Sequence, residues 1–225
     1  MATTSRTIPI EGDHSVILRA IGWDDYSEML RIKGRRAIPS MTYLDGSLLL
    51  VSPSSLHERL AKRLGLFVMV VVEELDIPCV MSGHTTFRRE EDEAGTEPDQ
   101  SYYLRDNVAR FRGKADDIDL QVDPPPDLVV EAVYTHDASA AVEVCRRIGV
   151  PEVWVADQEG MVIKVRRANG RYSGSNTSAV FPFLTMSEIF EWVTRPQTSS
   201  DTGWARELRA WVRETLGPRA AKARG

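Results

Sequence analysis

Pro126-Asp-Leu-Val-Val-Glu-Ala-Val133, then residues 137–148, then Pro151-Glu-Val-Trp-Val-Ala156 form the stretch that decides the fold. Pro124-Pro-Pro126 cannot be helical and delivers the chain into an apolar, β-branched run as long as a strand buried on both faces. Ala138, Ala141, Val142, Cys145 and Ile148 then recur at helical spacing, with Gly149 as a stop. The third segment is again strand-like. Strand, helix and strand with short connections make a βαβ-like crossover, which predicts a parallel pair in a sheet covered by helices.

Working outward, Tyr26, Met29, Leu30 and Lys33 share one face of a short helix that Gly34 closes. Two strand-like runs over 42–51 flank Asp45-Gly46, a dipeptide suited to a two-residue hairpin turn. Ser55-Leu-His-Glu58 has capping-box form and starts a helix whose apolar face is Leu60, Leu64, Phe67, Val68, Val71 and Leu75, ending before Pro78. Strands are expected at 85–89 and 98–104, and the acidic run 90–97 between them reads as a solvated loop. Downstream, a hairpin is expected over 161–173 around Asn169-Gly170, a short helix at 187–193, and an amphipathic helix at 204–216. Arg219, Lys222 and Arg224 read as a frayed basic tail.

The resulting class is mixed α/β: a mixed central sheet flanked by helices, with an N-terminal helix plus hairpin and a C-terminal helix. One domain is expected over 23–194, after a flexible segment at 1–22 and before a linker, helix and tail at 195–225. The 225 residues, 42% hydrophobic and 27% charged, suffice for one substantial core. No run approaches the length of a membrane span and no apolar signal core opens the chain, so a cytoplasmic protein is expected. Cys79 and Cys145 lack ligand spacing and read as buried thiols. The net charge of −5 excludes a surface that is basic throughout but leaves room for basic patches.

Glu131 is the residue out of place, because period two puts its carboxylate on the same buried face as Val129 and Val133. An ionised carboxylate there costs several kcal/mol unless something pairs with it. An arginine partner and a metal are both open from the residues alone. Asp99, just after Pro98 at the start of another strand, could join Glu131 in a hard-oxygen site suited to Mg²⁺ or Mn²⁺. Such an ion could promote phosphodiester hydrolysis without a covalent intermediate.

Glu-Pro-Asp (97–99), Pro-Asp-Leu-Val-Val-Glu (126–131) and Gly-Val-Pro-Glu-Val-Trp (149–154) follow Asp45-Gly46 and Ser-Pro-x-x-x-His (52–57) in order. Together they resemble the Uma-type restriction endonuclease family, a branch of the PD-(D/E)xK nuclease superfamily, over about residues 23–193. The resemblance implies a restriction-endonuclease-like fold, a DNA substrate, Asp99 and Glu131 as metal ligands, and His57 at a position where the family usually has histidine. A helix N-terminus favours neutral imidazole, so His57 is expected to accept a proton from water; the plainer reading is a polar residue at a helix start. Glu58 reads as a helix cap before a ligand, and Asp127 as fixing the strand entrance.

The departure from the family concerns a lysine expected nine residues before Val150, where this chain has Ala141. Ala140, Ser139 and Glu143 cannot replace its ammonium. Lys62, Arg146 and His136 are candidate substitutes. Three readings follow: a metal-dependent DNA endonuclease, for which a homodimer would suit cutting two strands; a non-catalytic relative that binds DNA; and a partner-binding domain whose Glu131 meets a buried arginine. The second draws on six Lys or Arg against two Glu from Gly203 onward.

Overall fold

The computed structural model describes residues 12–111, 118, 120–134, 137–196 and 200–224. In chain order its elements are β1 (His14–Arg19), α1 (Trp23–Lys33), β2 (Ser40–Leu44), β3 (Ser47–Ser52), α2 (Ser55–Glu74), β4 (Cys79–Met81), β5 (Phe87–Arg89), β6 (Ala94–Thr96), β7 (Gln100–Leu104), α3 (Asp106–Arg110), β8 (Leu128–Ala132), α4 (Ser139–Ile148), β9 (Glu152–Ala156), β10 (Met161–Arg166), β11 (Tyr172–Ser175), α5 (Met186–Thr194), α6 (Asp201–Trp211) and α7 (Gly217–Arg224). A π-helical turn, Val212–Leu216, joins α6 to α7.

The fold is mixed α/β, with the β strands in two sheets instead of one. The six-stranded sheet runs β11-β10-β9-β8-β7-β4, and within it β8 and β9 are the expected parallel pair, Leu128 opposite Glu152. The five-stranded sheet runs β1-β3-β2-β6-β5 and is antiparallel throughout. Its β2–β3 hairpin turns where the sequence places it: Asp45 and Gly46 hold φ of 46° and 76°, the left-handed pair that a tight hairpin needs. Two expectations are corrected. Residues 14–19, assigned to a flexible leader, form edge strand β1, and the acidic run supplies buried β6 and a buried Glu97 as well as solvated residues.

Burial explains the layering. Leu128, Val130 and Ala132 pack with Leu64, Phe67, Val68 and Val71 of α2, which also collects α5 and α6. Each such side chain withdrawn from water contributes roughly 1.5–3 kcal/mol. Val129, on the opposite face of β8, packs with Val144, Cys145 and Ile148 of α4, and α4 in turn lies against β2 and β6. Beyond that sheet, α1 stacks Tyr26 on Tyr43, 4.8 Å between centroids. Gly95 lets Tyr26 in, because a Cβ there would come within 3.0 Å of the phenol ring.

The C-terminal basic residues do not form a frayed tail. Arg209, Arg213 and Arg219 pair with Glu73, Glu74 and Glu188, which fastens the last helices to α2 and α5. Much of the positive charge counted there is thereby neutralised. No helix among the described residues is long and apolar enough to cross a membrane.

Candidate active site

Asp99 and Glu131 meet because β7 and β8 pair antiparallel with Gln100 opposite Val130, so the residue before β7 lies across from Glu131. The contact is reciprocal. The Ala132 amide donates to Asp99 Oδ2 at 2.8 Å, and the Asp99 amide donates to the Glu131 carboxylate. Glu131 is 9% exposed, and its Oε1 has no hydrogen-bond partner among the described residues. Burial raises its pKa well above the ordinary glutamate value and the adjacent Asp99 charge raises it further, with the Asp99 amide opposing. The charge acting on Glu131 has its own sign, so the buried-arginine reading finds no support in its surroundings.

His57 occupies the first turn of α2 and is buried between two carboxylates. Its Nε2 lies 3.1 Å from both oxygens of Asp99, and its Nδ1 lies 3.2 Å from Asp13 Oδ2. Burial alone lowers the imidazole pKa, but hydrogen bonding to Asp99 and the charges of Asp99 and Asp13 outweigh it and raise the value to about 9. In the metal-free protein the two carboxylates within hydrogen-bond distance therefore favour an imidazolium over the neutral, proton-accepting imidazole expected from the helix dipole, because they outweigh half a unit of backbone charge. Asp13, on the chain before β1, has a fully buried side chain and also accepts from the Ser54 amide at 2.7 Å. Ser54, one residue ahead of the expected cap, is the residue that caps α2, accepting from the His57 amide.

These groups open on a cavity of about 210 Å³ between the two sheets, at the start of α2 and α4. Glu58, Glu97, Asp99, Glu131 and Asp137 give it acid; Thr42, Leu49 and Val51 form the wall on the five-stranded sheet; Ala138 and Ala141 face it from the other side. Among the described residues that line it, none is Lys or Arg. Glu97 is held by its neighbours: its carboxylate accepts from Lys33 Nζ at 2.5 Å, from the Met41 amide at 2.8 Å and from Thr86 Oγ1 at 2.9 Å.

The other sequence candidates fall as follows. Ala141 does line the cavity, so a lysine at that position would begin beside Glu131. Lys62 is exposed and pairs with Glu58 at 3.3 Å, one turn back on α2, and Arg146 pairs with Glu143 at 2.6 Å; neither lines the cavity. Asp127 accepts from the Leu104 amide at 2.7 Å and from Asn107 Nδ2 at 2.6 Å, so it fixes the start of β8, as expected. His136 lies outside the described residues. Cys145 is buried beneath Glu131, where burial and then the Glu131 charge raise its pKa well above the thiol value.

The donor set suits a hard divalent ion in one specific respect: a buried carboxylate oxygen without a donor lies beside a second carboxylate of like charge. Among the described residues no group of three or more His, Cys, Asp or Glu is placed to hold a metal, so an ion here would keep water or substrate oxygens as further ligands. Mg²⁺ is bound in that manner by one or two carboxylates.

No curated protein matches the chain. A crystal structure described as "a putative nuclease belonging to DUF820", from Anabaena variabilis ATCC 29413, aligns with 69% of this chain and 92% of its own at 17% identity and a TM-score of 0.46. Residues 23–197, well over half of the sequence, match the family Uma2, described as "Putative restriction endonuclease". By that match the chain belongs to the Uma2 family.

Proposed function

We propose that the chain hydrolyses DNA phosphodiester bonds with Mg²⁺ or Mn²⁺ held by Asp99 and Glu131. The observation that carries the reading is the unpartnered Glu131 oxygen, buried next to Asp99 in a cavity whose described lining has neither Lys nor Arg. A divalent ion bound there supplies Lewis acidity to a phosphodiester. The chain's own residues do the positioning. The Ala132 amide and the His57 ring hold the Asp99 carboxylate, and Asp13 holds His57 from behind. The β7–β8 pairing and the Ala132 amide keep Asp99 beside Glu131.

Nicking of supercoiled plasmid in Mn²⁺ or Mg²⁺ tests the reading: wild-type protein is expected to nick, with Asp99→Ala and Glu131→Ala silent. Absence of nicking in either metal overturns it.

A second reading is a catalytically impaired relative that binds DNA, and the favouring observation is Ala141 on the cavity wall, where no ammonium is supplied. It expects duplex binding that survives Glu131→Ala and no cutting. The C-terminal arginines give it less support than their number suggests, because Arg209, Arg213 and Arg219 are each paired with a glutamate.

A further inference from the structure

A second imidazole, that of His84, lines the cavity that holds Asp99 and Glu131, and it is exposed to solvent. It has no hydrogen-bond or ion-pair partner among the described residues. The other side-chain donors on that lining are engaged. Ser40 Oγ donates to the Val51 carbonyl at 3.5 Å, Thr42 Oγ1 lies 3.0 Å from Thr96 Oγ1, and His57 has its two ring nitrogens on Asp13 and Asp99. With neither Lys nor Arg on the described lining, His84 is the side chain there whose N–H has no acceptor.

An exposed turn histidine is ordinarily only solvated, and this one differs in how its turn is fixed to the strand that follows Asp99. Ser101 stands two residues beyond Asp99, so the two side chains share a face of that strand. The Ser101 hydroxyl donates to the Gly83 carbonyl at 3.2 Å and lies 2.7 Å from Ser82 Oγ, while the Ser101 carbonyl accepts from the Ser82 amide at 3.0 Å. On the far side of His84, Thr85 Oγ1 donates to the Ser82 carbonyl and Thr86 Oγ1 to the Glu97 carboxylate. The chain before His84 is thus held by Ser101 and the chain after it by Glu97, each two positions from Asp99. A donor fixed relative to the carboxylate pair, and itself unbonded, is preorganised for an oxygen that binding brings. An imidazole carries at least one N–H in either protonation state, so the contact does not depend on the charge of the ring.

We propose that His84 donates a hydrogen bond to the DNA backbone phosphate seated in the acidic cavity, supplying a donor where Ala141 supplies none. In hydrolysis this makes it a catalytic residue, a role that rests on the nuclease reading; the contact with phosphate is measurable without cleavage.

The test follows the imidazole signals of the histidine-labelled full chain by NMR as a short DNA duplex is added with Ca²⁺ in place of Mn²⁺. The His84 signal is assigned by its loss in His84→Gln, and plasmid nicking in Mn²⁺ is measured alongside. Duplex is expected to shift the His84 signal saturably, and His84→Ala to slow nicking about tenfold or more while leaving Mn²⁺ affinity by calorimetry within about twofold. Thermal melts establish that each variant is folded. A His84 signal that duplex does not move overturns the proposal, whether or not plasmid is nicked. Inorganic phosphate moving the signal where duplex does not assigns the ring to a free anion and overturns it equally. Mn²⁺ affinity that collapses in His84→Ala makes the ring a metal ligand and also overturns it. A shifted signal without nicking sinks the hydrolytic reading and upholds the phosphate contact, and nicking at an unchanged rate in His84→Ala sinks the proposal alone.

Discussion

Glu131 receives a hydrogen bond from the backbone amide of Asp99 and the repulsion of the Asp99 carboxylate at the same time, while its second oxygen has no described donor. The β7–β8 register forces this arrangement, and the protein without a bound cation is destabilised by it. A fold that buries two carboxylates together does so at a cost of several kcal/mol, which a cation bound between them would offset.

Glu131→Gln should therefore stabilise the metal-free protein. With its pKa raised, folded Glu131 holds its proton more tightly than the unfolded chain does. Its contribution is favourable at low pH and is lost as pH rises above the ordinary glutamate range. In EDTA, urea unfolding at pH 8 should show Glu131→Gln more stable than wild type by about 1–3 kcal/mol, with the gap closing near pH 4. A variant less stable at pH 8 would contradict this.

His57 gives a second pH signature in metal-free protein. Its folded pKa of about 9 exceeds the unfolded value of about 6.5, so the stabilisation is complete below about pH 6.5 and is lost as pH climbs through about 9. The size is on the order of 3 kcal/mol at most. Asp13 and Asp99 both face the ring, so Asp13→Asn should lower the His57 ring pKa measured by NMR. A ring that titrates near 6.5 in wild type would rule out the clamped imidazolium.

Ala141→Lys should raise the plasmid-nicking rate at least tenfold. The position lines the cavity with Glu131, and a preorganised cation near developing negative charge is commonly worth several kcal/mol. An unchanged rate in a folded variant would mean that the site does not lack an ammonium.

Glu152 should be indispensable for the fold and irrelevant to metal binding. Fully buried at the start of β9, it accepts from Trp154 Nε1, Ser178 Oγ and the amides of Ala179 and Val180, which ties the sheet to the turn before α5. Glu152→Ala strands four donors and should cost about 3–5 kcal/mol by urea unfolding, with Glu152→Gln less damaging.

Local signals made much of this legible. The β8–α4–β9 unit, the Asp45-Gly46 hairpin and the apolar face of α2 each declare themselves within one continuous stretch of sequence, and the misplaced charge at Glu131 pointed to the candidate site. What the sequence concealed depends on distant pairing. Strands β4, β5 and β6 are three residues each, too short to show a period, and β1 is exposed along most of its length, so it lacks the alternation of a half-buried strand. Asp13 meets His57 across 44 positions with no local mark. Lys33 did carry a signal: a lysine on the apolar face of α1 requires a buried acid, and Glu97, read as part of a solvated run, is that acid.

The most direct test of the central claim is a calorimetric titration of the folded apo-protein with Mn²⁺, in parallel with Asp99→Asn and Glu131→Gln. Wild type is expected to bind saturably, and either substitution to weaken binding at least tenfold. Wild type without binding, or equal affinity in all three proteins, would contradict the central claim.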